Sequence, residues 1–299
     1  MTLCLAWKQN NAIYLAADSR LTSSNGTPIT NQATKIFKIG VQVFAPTPSD
    51  KRDAIPELVY KSTFGLAFAG SYINGSLLAN TLDEVFSNLQ AAPMLSDYSF
   101  DILSDIGLTI FEQVSQQLIE INRGGGVAEV YLVGVCPNNK TCSLCKFTTR
   151  KDEITGIFNK HEKAILNLDD DVYYIGDSTA IDVAKRLSEK TNFEYTYFHV
   201  LRDVIQNTDI KTVGGEIQAG ILKNSGFGTY GVVYYEGEED KFGLIQTKHK
   251  FKFRGLDLNL DDTLRKGNLN IMQEFLNPFE ADKHKIFQES LDSIDRFNK

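Results

Sequence analysis

Apolar residues in this chain of 299 residues switch repeatedly between two spacings, and the order of the switches restricts the fold. Residues 2–8 and 12–18 are short apolar segments on either side of a polar turn, Gln9-Asn10-Asn11, the pattern of a hairpin. Residues 35–39 and 41–45 read as a second strand pair broken at Gly40. A polar loop covers 46–56, and residues 63–69 form a buried strand that stops at Gly70. From Ile73 the spacing turns helical, with Leu77, Leu78, Leu82, Val85, Phe86 and Leu89 on one face. Residues 100–121 repeat that pattern up to the helix stop Gly124-Gly125-Gly126. Strands return at 127–135, 143–149 and 172–175, helices at 180–188 and 197–206, and strands again at 228–235 and 242–253. Runs of one type, rather than strict alternation, predict an α+β protein in which helices cover sheets.

No internal repeat or Pro- or Ser-rich linker divides the chain. After Gly255 the sequence becomes charged and sparsely apolar, then helical in pattern around 271–275 and 286–294, which predicts a C-terminal appendage. Lys plus Arg number 31 against 38 Asp plus Glu, a formal net charge of −7, and no basic arm offsets it. That balance argues against nucleic acid as a partner, since such binding draws its affinity from cations neutralising phosphates. No apolar run approaches the roughly 20 residues that span a bilayer, so no membrane partner is expected. With neither a signal-peptide pattern nor a disulfide scaffold's worth of cysteines, the expected compartment is the cytoplasm. The sequons at Asn25, Asn74 and Asn139 are then accidental. Cys136, Cys142 and Cys145 lack a fourth ligand at zinc spacing, and Pro137-Asn138-Asn139-Lys140 reads as a turn between facing strands, so no metal is expected. No nucleotide fingerprint occurs, so no cofactor is expected.

Removal of Met1 would leave Thr2 first, and a small second residue is what methionine removal requires. A free N-terminal Thr carries both a hydroxyl nucleophile and, on the same residue, an α-amine of reference pKa about 7.7–8.0 that can take the hydroxyl proton. Such chemistry needs a nearby cation and a carboxylate to hold it. Asp18-Ser19-Arg20 ends the second strand and Lys35 opens the third; a hairpin brings Asp18 back beside Thr2. Taken singly, an Asp before Ser is a turn former and a Lys is a solvated charge.

Taken together, Thr2, Asp18-Ser19-Arg20, Lys35 in Thr34-Lys35-Ile36-Phe37-Lys38-Ile39, and Phe68-Ala69-Gly70-Ser71 resemble the proteasome β-subunit family of N-terminal nucleophile hydrolases. The likeness is closer to bacterial members of the Anbu type than to eukaryotic catalytic subunits, and it spans roughly residues 2–235. It implies a four-layer αββα sandwich over 1–255 with a C-terminal helical extension over 256–299. It also implies a threonine-type peptidase in which Thr2 is nucleophile and its amine the base. Lys35 would lower the pKa of both groups, Asp18 would orient Lys35, Arg20 would brace the loop, and the Gly70 amide would donate to the oxyanion. Substrate backbone would add beside Leu21-Thr22 and the Gly70 turn. In the second half, Asp177 stands where the family has Ser. The segment Asp209-Ile210-Lys211-Thr212-Val213-Gly214-Gly215 has Thr for Ser and one extra residue, making Asp177, Asp209 and Thr212 candidates to support the amine. The implied partners are a peptide or unfolded-protein substrate and further copies of the chain in a ring or stack, with any unfoldase partner undefined. Two other readings stay open: a non-catalytic assembly subunit that keeps Met1, and a hydrolase of the same chemistry acting on a small amide.

Overall fold

At the first turn Asn10 and Asn11 adopt φ of 51° and 61°, the paired left-handed conformation of a two-residue hairpin turn, to which asparagine is suited. The computed structural model describes residues 2–46, 56–92, 98–121, 126–152, 156–169, 171–239, 245–254, 256–258, 273–283 and 285–286. Along them run β1 (Leu3–Gln9), β2 (Ala12–Ala17), β3 (Leu21–Thr22), β4 (Pro28–Thr30), β5 (Ile36–Phe44), β6 (Leu58–Gly70), α1 (Tyr72–Phe86), β7 (Leu89–Gln90), α2 (Phe100–Ile121), β8 (Ala128–Val135), β9 (Cys142–Lys151) and β10 (Phe158–Leu166). Then come β11 (Tyr173–Gly176), α3 (Ser178–Ser188), α4 (Tyr197–Gln206), β12 (Gln218–Lys223), β13 (Gly226–Glu239), β14 (Ile245–Phe253), β15 (Leu256–Asp257) and β16 (Phe275–Leu276). The protein is thus a mixed α/β structure with extensive sheets and few helices.

One sheet has the order β11-β1-β2-β12-β13-β14-β15, with β16 parallel to β13. A second has the order β10-β9-β8-β6-β5-β7. Successive side chains of a strand point to opposite faces, and here both faces are covered. On β1, Leu3, Leu5 and Trp7 join a core with Ala180, Ala184, Phe198 and Leu201 of α3 and α4. Cys4 and Ala6, on the other face, join one with Ala67 and Ala69 of β6 and Tyr131 and Val133 of β8. The opposite parity of β6 and β8, Phe64, Leu66, Phe68, Val130 and Leu132, packs with Leu78, Leu82, Leu103 and Phe111 of α1 and α2. Helices therefore pack on one face of each sheet, while the remaining faces share a core.

Several expected elements change. Residues 35–45 are not two strands broken at Gly40 but the single strand β5, because Gly40 leaves room for α1: its amide donates to Asp83 Oδ1 at 2.6 Å, and a Cβ there would lie 2.9 Å from Ser87 Oγ. Strand β6 begins at Leu58, earlier than its apolar core. Strands β10 and β12 were not anticipated. Phe275, expected in a helix, lies in β16, and Ile271, residues 287–299 and most of the 46–56 loop lie outside the described residues. Beyond residue 255, β15 extends the first sheet, and Phe279 is buried against His199 and Tyr234 at ring distances of 4.9 and 5.2 Å. Among the described residues, no helix is long and apolar enough to cross a membrane, and no cluster of three His, Cys, Asp or Glu side chains is placed to hold a metal. Cys136 and Cys145 sit in the helix-facing core, and Cys142 opens β9 opposite Val135.

Candidate active site

Strand β2 returns antiparallel to β1 with Ala17 opposite Cys4, so the next residue, Asp18, arrives beside Leu3 at the start of the chain. There Asp18 is fully buried. Its Oδ1 accepts from the Leu3 amide at 3.0 Å and from Lys35 Nζ at 2.9 Å. Its Oδ2 accepts from the amides of Arg20 at 3.1 Å and Gly214 at 3.0 Å. A carboxylate with both oxygens so occupied can lie inside a protein without an uncompensated desolvation cost. Lys35 is 1% exposed, a rare condition for lysine. Its backbone is fixed as well, its amide donating to Gln218 Oε1 at 2.9 Å and its carbonyl accepting from the Phe68 amide at 3.3 Å. Burial pushes the neighbouring Cys4 thiol well up, although the Lys35 charge acts in the opposite direction. Cys4 is therefore an un-ionised core residue, its Sγ donating to the Phe68 carbonyl at 3.1 Å.

Thr2 is 3% exposed. Its carbonyl accepts from the Asp177 amide at 2.8 Å, while Leu3, the next residue, donates to Asp18. Asp177 caps α3, with Oδ1 accepting from the Ala180 amide at 3.0 Å and Oδ2 accepting from Thr212 Oγ1 at 3.0 Å. Arg20 ties the first part of the chain to the second, Nε donating to Asn31 Oδ1 and one terminal nitrogen to the carbonyls of Lys211 and Val213. Gly70 ends β6 with φ of 99°, a conformation open to glycine. There the chain bends into Ser71, whose Oγ caps α1 by accepting from the Asn74 amide.

Thr2, Asp18, Lys35, Arg20, Asp177 and Thr212 are thus linked through direct bonds or a shared neighbour. Asp209 is not brought to this group. It is exposed, its amide bonded to Asn207 Oδ1 at 3.0 Å, because burial of Ile210 and Val213 turns the side chain of 209 outward. Ser19 and Gly214, quoted within those motifs but given no role, and Gln218, which was not noticed, also bond within the arrangement. Ser19 Oγ donates to the Asn31 carbonyl at 2.6 Å and accepts from the Glu216 amide at 2.7 Å. The adjacent glycines 214 and 215 were the one sequence signal pointing to that stretch.

A cavity of about 880 Å3 opens beside the group, lined by Leu21, Thr22, Gly70, Tyr72, Gly176 and Thr212 among others. Its walls join the two sheets and the short β3–β4 hairpin.

No protein-family model matches the chain, and no curated protein matches it in sequence. Solved structures similar to it include two Anbu proteins. Anbu (ancestral beta-subunit) from Yersinia bercovieri is 14% identical, over 76% of this chain and 86% of that one, with a TM-score of 0.48. An Anbu mutant from Hyphomicrobium sp. strain MC1 is 12% identical, over 100% of this chain and 97% of that one, with a TM-score of 0.49. Likeness at that level assigns no role to any residue of this protein.

Proposed function

We propose that the chain is a proteasome-like threonine-type hydrolase that cleaves peptide bonds with Thr2 after removal of Met1. The observation that carries this reading is the buried Lys35–Asp18 pair held against the first residues of the chain. A buried ion pair with no catalytic task can be replaced, both partners together, by apolar side chains at little cost in stability, whereas here its cation stands where an N-terminal nucleophile needs one. Thr2 Oγ1 would attack the substrate carbonyl as the α-amine takes its proton. The amine would then protonate the leaving nitrogen, and water activated by the same amine would hydrolyse the ester on Thr2. With Met1 in place the Thr2 nitrogen is an amide and the base is missing, so processing is a condition of activity.

In this reading Asp18 orients Lys35, Arg20 braces the loop, the Gly70 amide receives the oxyanion, and Asp177 with Thr212 secures the Thr2 carbonyl. Asp209, exposed as it is, keeps at most a supporting place in the turn. Peptide backbone would lie along Leu21-Thr22 and Gly70 in the cavity. The three cores would make a four-layer αββα sandwich of the N-terminal nucleophile type over 1–255, with 256–299 as an extension, and the working form would be a homo-oligomer.

Intact mass and a peptide epoxyketone, which requires both hydroxyl and amine of an N-terminal threonine, test the reading. Loss of Met1 and one adduct on Thr2 are expected, the adduct being absent from Thr2→Ala and peptide turnover abolished in that variant. A chain that always retains Met1 would sink the proposal.

A further inference from the structure

Glu129 has no part in the scheme above, yet its position is unusual for a carboxylate. On β8, Val130 and Leu132 face the helices and Tyr131 and Val133 face the first sheet, so the parity of the strand puts Glu129 on the inter-sheet side, at its open end. Its side chain is only 33% exposed. Oε1 accepts from Lys146 Nζ at 2.6 Å and Oε2 accepts from the Gly176 amide at 3.1 Å. The carboxylate therefore crosses from the second sheet to the last residue of β11 in the first.

What it holds there matters. Gly176 has φ of 126°, and a Cβ on it would come within 1.8 Å of the Thr2 carbonyl oxygen. Only glycine fits, and glycine by itself fixes its backbone least. The next amide, that of Asp177, donates to the same Thr2 carbonyl. Two successive amides thus point to two different acceptors, one on Glu129 and one on Thr2, and the first bond sets the orientation in which the second is made. Glu129, Lys146 and Gly176 all line the cavity.

We infer that Glu129 is a positioning residue, clamping the Gly176–Asp177 segment so that Thr2 is held in the orientation its reaction requires, with Lys146 fixing the carboxylate. This rests on the hydrolase reading for its consequence, but the clamp itself can be read without activity. In the full chain, Glu129→Ala is expected to lower the maximal rate of epoxyketone adduct formation about 10- to 100-fold, the scale of effect that a small misplacement produces, while the probe concentration for half-maximal rate stays unchanged. Gln keeps an acceptor for Gly176 but turns its NH2 on Lys146, so the pair Glu129→Gln with Lys146→Met should recover most of that rate.

Hydrogen exchange at the amides of Gly176 and Asp177 should be faster in Glu129→Ala than in wild type, local opening being what the lost bond permits. An unchanged maximal rate, or a weakened half-saturation at unchanged maximal rate, would make Glu129 a neutral wall or a ligand contact and overturn the inference. So would unchanged exchange at those two amides. Faster exchange in a protein whose wild type forms no adduct would support the clamp while removing the hydrolase reading, so the two failures are distinct.

Discussion

At the scale of single residues, the pair that stands out is Lys35 with Asp18, at 1% and 0% side-chain exposure. Removing one partner leaves the other charge buried, a loss of about 3–5 kcal/mol in comparable interior pairs. Lys35→Met is accordingly expected to lower the unfolding free energy by that order, seen as a lower denaturant midpoint, and to abolish turnover, and Asp18→Asn added to it should restore part of the stability but none of the activity. Equal loss in the single and the double variant would mean that the charge pair is not what holds the region. Thr2 and Asp18 could be brought together from sequence because a tight hairpin sets its own register, whereas Lys35, just before β5 in the other sheet, was marked only by the motif around it. Gly214, Gln218 and Glu129 could not be placed. Gly214 reaches Asp18 across 196 positions and Gln218 reaches Lys35 across 183, and although glycines 214 and 215 mark a turn, nothing local says what either residue meets.

At the scale of elements, legibility follows exposure. Helices α1, α2 and α4 have one wet face, so their period shows in the sequence, and α4 is found at the expected residues 197–206. Strand β12 was invisible for the opposite reason: Gln218–Leu222 are all buried, both faces being covered, and no alternation remains to read. Strand β10 escaped notice because it is an outer strand rich in charge, with Lys160 paired to Glu162 and Lys163 to Asp101. Segment 273–283 is tied down by the pairing of β16 with β13 and by one buried ring. Phe279, 1% exposed, lies under the Arg202 guanidinium at 4.7 Å, and Arg202 is paired to Asp282. Phe279→Ala should cost about 3–5 kcal/mol, the usual range for a buried aromatic, seen as a lowered urea midpoint. A midpoint within error of wild type would show the segment to be a dispensable cover.

At the scale of the whole molecule, two histidine rings, His199 buried and His161 half-buried, set a pH dependence. Burial lowers the pKa of His161, opposed by Glu112. Burial also lowers that of His199, with Arg202 and Lys285 acting in the same direction and Asp282 and Asp203 against it. The unfolded chain takes up protons on both rings near pH 6.5, the folded protein only below that. The stability they contribute is therefore complete above about pH 6.5 and lost as pH falls through it. The melting temperature should decline between about pH 7.5 and 5.5, and much less so in a His161→Asn/His199→Asn variant; an identical decline in that variant would assign the effect to other groups.

One bond has a consequence in time. The Asp18 carboxylate collects donors from residues 3, 20, 35 and 214, so its shell closes only when more than two-thirds of the chain has been made. On a ribosome the N-terminus emerges first, but the surroundings that would make Thr2 reactive are completed by sequence that emerges late. If Thr2 is the nucleophile proposed above, a nascent chain would carry it inert past its neighbours until the domain has closed around it.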